Sequence, residues 1–143
     1  MRNFSNSSFV DVKDRLQKKN EQSFFVDIPS TEFTQLSYFL VRNFYHPIIV
    51  DDYPYEILDK ASFLEALYYQ GELITTHDLN WDAFNEGLND LMDRSNDFDG
   101  ICLLFRNGKR IFKDIPNEMN VFDEILQSIN NQHKQKKIWM ILG

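Results

Sequence analysis

Apolar residues recur along this chain in two rhythms. Short runs with little polar interruption, Ile48-Ile49-Val50, Gly100–Phe105 and Ile138–Leu142, alternate with longer stretches whose apolar side chains return every three or four residues. The first rhythm predicts strands covered on both faces, the second amphipathic helices packed against them. Phe33, Leu36, Leu40 and Phe44 place a buried stripe on a helix over about 31–44, and Pro47 closes that unit. Phe63, Leu64, Leu67 and Tyr68 mark a second helix, opened at Asp59 or Lys60 and closed by Gly71 as a C′ glycine. Trp81, Phe84, Leu88, Leu91 and Met92 mark a third over about 80–94. Pro116 introduces a fourth, striped by Met119, Phe122, Ile125, Leu126 and Ile129.

Weaker signals fill the gaps. Residues 1–8 read as irregular, 9–20 as a short charged helical turn, and Phe24-Phe25-Val26 as a strand. Tyr55–Leu58 reads as a brief partner strand after a turn at Asp51–Pro54, and Leu73–Leu79 as a loop. Asn107-Gly108 signals a tight turn from which Arg110-Ile111-Phe112 returns as a short strand. Together these predict an α/β layer: a small, mostly parallel, three-stranded sheet with packed helices. It occupies residues 47–143, behind an N-terminal extension over 1–46 with one amphipathic helix.

The polar side of the third helix changes this picture. At ~100° per residue, Asp82, Glu86, Asp90, Asp93 and Asp97 fall within an arc of about 80° opposite the apolar stripe. Like charges at i,i+4 repel, and only Arg94 offers relief. A face that opposes its own helix points to a cationic partner. The competing reading is a solvated surface on an acidic protein, whose net charge is −7. The acidity is local: residues 1–45 carry six Lys/Arg against five Asp/Glu, residues 46–143 nine against seventeen. Nucleic-acid binding, which needs a basic footprint, is disfavoured.

Other chemistry finds little support. Cys102, the single cysteine, sits in an apolar run with nothing to activate it. Asp78, Asn80 and Asp82 match the opening of an EF-hand loop, but Ala83 and Asn89 stand where the glycine and the bidentate glutamate belong. His77-Asp78 is the only His/Asp pair, Thr75 and Thr76 beside it carry no nucleophile pattern, and His46 and His133 lack metal-ligand spacing. Clustered carboxylates leave a small metal-dependent hydrolase as a minor alternative, although a convex helix face is a poor active site. No Gly-rich phosphate loop, cofactor site, signal peptide or apolar span is present, so a cytoplasmic protein without an enzymatic role is expected.

What remains is recognition. The string Asn80-Trp81-Asp82-Ala83-Phe84-Asn85-Glu86, followed by Gly87-Leu88-Asn89-Asp90-Leu91, resembles the barstar family of bacterial ribonuclease inhibitors, and the element order agrees over roughly 47–143. The resemblance implies a barstar-like fold and an antitoxin or immunity protein. Its acidic helix and preceding loop would plug a cationic nuclease site, with carboxylates standing in for RNA phosphates. Asn80 matches the loop asparagine that docks the inhibitor, and Asp82 the first acid of the helix. Glu86 stands where the best-known members carry their dominant aspartate, and Asp93 matches a further acid. The candidate partner-binding residues are thus His77, Asp78 and Asn80 at the loop end, and Asp82, Asn85, Glu86, Asn89, Asp90 and Asp93 on the helix. Two departures bear on the target. Thr75–Leu79 lacks the prototype's tyrosines and Gly-Glu, and Asn85 replaces a tryptophan. Aromatics are frequent hot spots, so the alternative is an acidic binding module or an immunity protein for a toxin that is not a ribonuclease.

Overall fold

The computed structural model describes residues 4–18, 21–51, 56–71, 79–133 and 135–143, with side chains from residue 8 onward. Four strands form one sheet: β1 (Ser23–Phe25), β2 (Tyr45–Val50), β3 (Gly100–Phe105) and β4 (Lys137–Leu142). Their order is β1-β4-β3-β2 and every pairing is parallel. The sheet therefore has one strand more than the three expected. The addition is the Phe24 segment, whose three residues pair with the outer edge of β4 from Ser23↔Met140 to Phe25↔Leu142. Flanking bonds from Met140 N to Gln22 O (2.8 Å) and from Val26 N to Leu142 O (2.9 Å) lengthen that join.

Six helices among the described residues cover the two faces. These are α1 (Phe4–Lys18), α2 (Phe33–Arg42), α3 (Lys60–Gln70), α4 (Trp81–Arg94), α5 (Gly108–Asp114) and α6 (Pro116–Gln132). Alternate residues of a strand point to opposite faces. Ile101, Leu103 and Phe105 meet Phe63, Phe84, Leu88 and Phe122 of α3, α4 and α6. Cys102 and Leu104, with Tyr45, Trp139 and Ile141, meet Phe9, Val12 and Leu16 of α1 and Phe33, Leu36 and Leu40 of α2. Every residue of β3 is buried, as its unbroken apolar run requires. The links β2→β3 and β3→β4 run one way across the sheet over one face. The link β1→β2 runs the other way over the opposite face, as a constant crossover handedness demands.

Several expectations are corrected. α1 begins at Phe4, where composition suggested irregular chain and, beyond it, only a short turn. A single 3₁₀ turn, Ser30–Glu32, precedes α2. Phe44 is not part of a buried stripe. α2 stops at Arg42, and Phe44 takes the left-handed position (φ 68°) that turns the chain into β2, leaving its ring 65 % exposed. Pro47 lies inside β2, tolerated because β2 is an edge strand. Residues 56–58 form no strand, and Ile57 is buried in the core, while Tyr55 lies outside the described residues. Gly71 closes α3 at φ −90°, without a left-handed turn. Arg110-Ile111-Phe112 belongs to α5. A returning strand would find both edges of β3 already taken by β2 and β4, and left-handed Asn107 (φ 56°) sends the chain straight into helix. Gly108 follows because a Cβ there would sit 2.8 Å from Leu142 Cα.

Candidate functional site

Asn80 begins the site. Its backbone is extended (φ −144°, ψ 164°) and its Oδ1 accepts from Ala83 N at 2.8 Å, so it is the N-cap of α4. One orphan donor of the first turn is thereby satisfied. Asp82 lies in that first turn, where the helix dipole favours a carboxylate. Phe84, Gly87, Leu88, Leu91 and Met92 bury one side of α4, which forces the acids outward. Trp81 is half-buried, its ring 5.9 Å from that of Phe63 and 6.0 Å from that of Phe122.

The outward face divides at about the middle of the helix. Asp82 and Glu86 are exposed, and among the described residues neither forms a hydrogen bond or ion pair. Further along, the polar groups have partners. Asp90 Oδ2 accepts from Arg94 Nε at 2.7 Å. Asn89 Nδ2 donates to Asn85 O at 2.9 Å, which leaves its Oδ1 to accept from His133 Nε2 at 3.0 Å. That assignment puts the imidazole proton on Nε2. His133 Nδ1 lies 3.9 Å from Asp93 Oδ1. Lys136 Nζ donates to Met92 O, and Ser95 Oγ donates to Leu91 O at 2.8 Å, so two carbonyls of the last turn are satisfied. The fifth acid of the expected stripe, Asp97, lies in the turn beyond the helix.

Beside the unpartnered acids runs a groove. Trp81, Asp82 and Asn85 face Val121, Glu124, Ile125 and Ser128 of α6 across an open space of about 280 Å³. Trp81, Val121 and Ile125 make it apolar underneath, and Asp82 and Glu124 make it acidic at the rim. The sequence reading missed Val121, Glu124, Ser128 and His133. The first three share one side of α6 at 3–4 spacing, so winding α6 would have grouped them. Nothing in the periodicity shows that this side borders α4.

Of the nine candidate residues, the structure brings Asp82 and Asn85 to the groove and Glu86 to the open face nearby. Asn80 sits at the helix start, while Asn89, Asp90 and Asp93 turn toward His133 and Arg94. His77 and Asp78 lie outside the described residues, as do Thr75 and Thr76. Cys102 is fully buried, and burial pushes its thiol far above the ordinary range, which leaves it protonated and unreactive. Among the described residues, no three His, Cys, Asp or Glu side chains are grouped as a metal would require, and no helix is long and apolar enough to cross a membrane.

Comparison with curated proteins and with solved structures gave no match. A family model, Barstar (barnase inhibitor), matches residues 55–143. The match runs from before α3 through β4 and includes α4, the groove and every candidate contact residue. The chain therefore belongs to the barstar family of barnase inhibitors.

Proposed function

We propose that this protein is a cytoplasmic antitoxin or immunity protein that inhibits a ribonuclease by covering its phosphate-binding site. The observation that carries this reading is the pair Asp82 and Glu86: two exposed carboxylates, one helical turn apart, with no partner among the described residues. Carboxylates left unpaired on a rigid helix are available to Arg, Lys or His of a nuclease site. Complementary charge speeds encounter, and the hydrogen-bonded ion pairs formed on docking slow release. Asp82 and Glu86 engage the cationic centre, and Asn80, with His77 and Asp78, contacts its rim. Asn89, Asp90 and Asp93 contribute mainly to the negative field, since each already has a neighbour within the fold.

One observation favours a second reading, in which the target is a toxin other than a barnase-type ribonuclease. Asn85, standing where the family prototype carries a tryptophan, leaves the α4–α6 groove open. A partner fitted to this chain would have to fill that space itself. The deciding experiment measures inhibition of a barnase-type ribonuclease by the wild type and by Asp82→Ala/Glu86→Ala. Strong inhibition lost in the variant supports the first reading. Inhibition equal in both proteins overturns the assignment of the face, and no inhibition by either moves the target to another toxin.

A further inference from the structure

The outer side of α2 is nearly free of charge. From Phe33 to Phe44 the only charged residue is Arg42, in a chain whose residues are 26 % charged and whose net charge is −7. Phe33, Leu36 and Leu40 turn inward and are fully buried. Tyr38 and Val41, three residues apart and so neighbours on one helix face, turn outward at 61 % and 48 % exposure. Phe44 follows them, its backbone N–H bonded to Val41 O at 3.0 Å and its side chain more exposed than either. Among the described residues no other seven-residue stretch exposes three large apolar side chains. Phe44 is also strained. Its φ of 68° is a left-handed conformation that glycine adopts freely and a bulky side chain does not. The exposed ring adds little to the core, so folding alone does not account for a phenylalanine at this turn.

A patch so poor in charge has nothing to attract a cationic nuclease. It has the make-up of an interface core, where charged side chains are depleted and Tyr, Phe and Arg enriched. Two copies of an acidic chain repel each other, and they approach at least cost where charge is sparse. The few charges present suit self-pairing. Glu32 stands just before the first turn of α2, and Arg42 in its last turn. When two α2 helices run antiparallel about a two-fold axis near Tyr38, Arg42 of each copy comes beside the Glu32 end of the other. A parallel arrangement would set like charges together. We propose that α2 and Phe44 form an isologous interface with a second copy of this chain, the two helices antiparallel. A strip about 15 Å long and one helix wide is smaller than the ~800 Å² per partner of a standard interface, so the dimer is a weak, micromolar one. α2 and α4 cover opposite faces of the sheet. The dimer therefore keeps both acidic faces outermost and is independent of the inhibitory reading.

The test is sedimentation equilibrium of the full chain from low micromolar to millimolar concentration, where a monomer–dimer equilibrium is expected. Tyr38→Glu sets two carboxylates against each other at the axis and should raise the dissociation constant by at least about tenfold. Phe44→Gly removes an aromatic anchor and should raise it by about tenfold. Its Tm, measured at a concentration where the parent is monomeric, should equal or exceed the parent's, because glycine relieves the left-handed turn. This second variant keeps the test open if Tyr38→Glu disturbs the fold. A monomer at every concentration overturns the proposal, as does a dimer that either folded variant leaves equally tight. A lowered Tm in Phe44→Gly would show that the ring serves the fold and would remove it from the interface.

Discussion

On one face of the sheet Ile101, Leu103 and Phe105 meet helices that include α4, and α4 turns outward two carboxylates without a partner among the described residues. On the other face Cys102, Leu104 and Trp139 meet α1 and α2, whose inner side chains are just as apolar and whose outer ones form no comparable acidic array. The family match starts at residue 55, so it takes in all four helices of the first face and neither helix of the second. The proposed recognition face and the family match thus share one layer. The second layer answers a different need. An all-parallel sheet has two apolar faces, and both must be covered.

The comparison can be broken or sharpened by substitution. The largest effect is expected from deleting residues 1–42, which strips β1, α1 and α2 and uncovers Trp139, Leu104 and Ile141. The shortened chain should lose its cooperative thermal transition or self-associate, as circular dichroism melting and light scattering would register. A monomer with an unchanged transition would show that the second layer is dispensable. Trp139→Ala, within that layer, should cost about 3–5 kcal/mol in urea unfolding, and Phe84→Ala in the first layer a similar amount. A large inequality would mean that the faces are not equivalent in packing.

Asp82→Ala should reverse the pattern. Affinity for the inhibited nuclease should fall by about 2–5 kcal/mol, while urea stability stays within about 0.5 kcal/mol of the parent. A stability loss as large as the binding loss would remove the distinction between folding and recognition layers. Asn80→Ala removes the helix cap and should cost ~1 kcal/mol of stability, read from the shift in urea midpoint. Arg94→Ala should do least. The pair with Asp90 is an exposed i,i+4 contact, worth about 0.3–0.5 kcal/mol, and its loss would leave a third open carboxylate for the salt dependence of binding to detect.

Much of the first layer was legible because its signals are local. The stripe Phe84-Leu88-Leu91 fixes which side of α4 is buried, and Asn80 is both a good cap and the first residue of the family string. β3 was evident from six consecutive buried positions. What escaped depends on contacts between distant segments. The strand around Phe24 was readable from its residues, but its place in the sheet depends on the edge that β4 offers. Arg110–Phe112 has strand-like residues, and only the occupied edges of β3 decide for helix. Phe44 completes a helical spacing, yet the chain's turn into β2 takes it out of the core. Glu124 joins the site through the docking of α6 on α4, which no periodicity encodes.

The pairing of β1 with β4 also sets a timetable. Ser23 finds its neighbour at Met140, so the first strand of the sheet waits for the last. At roughly 5–20 residues per second of synthesis, that wait is on the order of ten seconds. Until β4 is made, the apolar sides of α1 and α2 have at most β2 and β3 to lie on, and Trp139 and Ile141 are missing from their layer. Long-range parallel pairing is itself slow to form. A newly made chain therefore passes through a sticky interval, and how fast it is translated and whether a chaperone attends it should govern its yield as much as the stability of the finished fold.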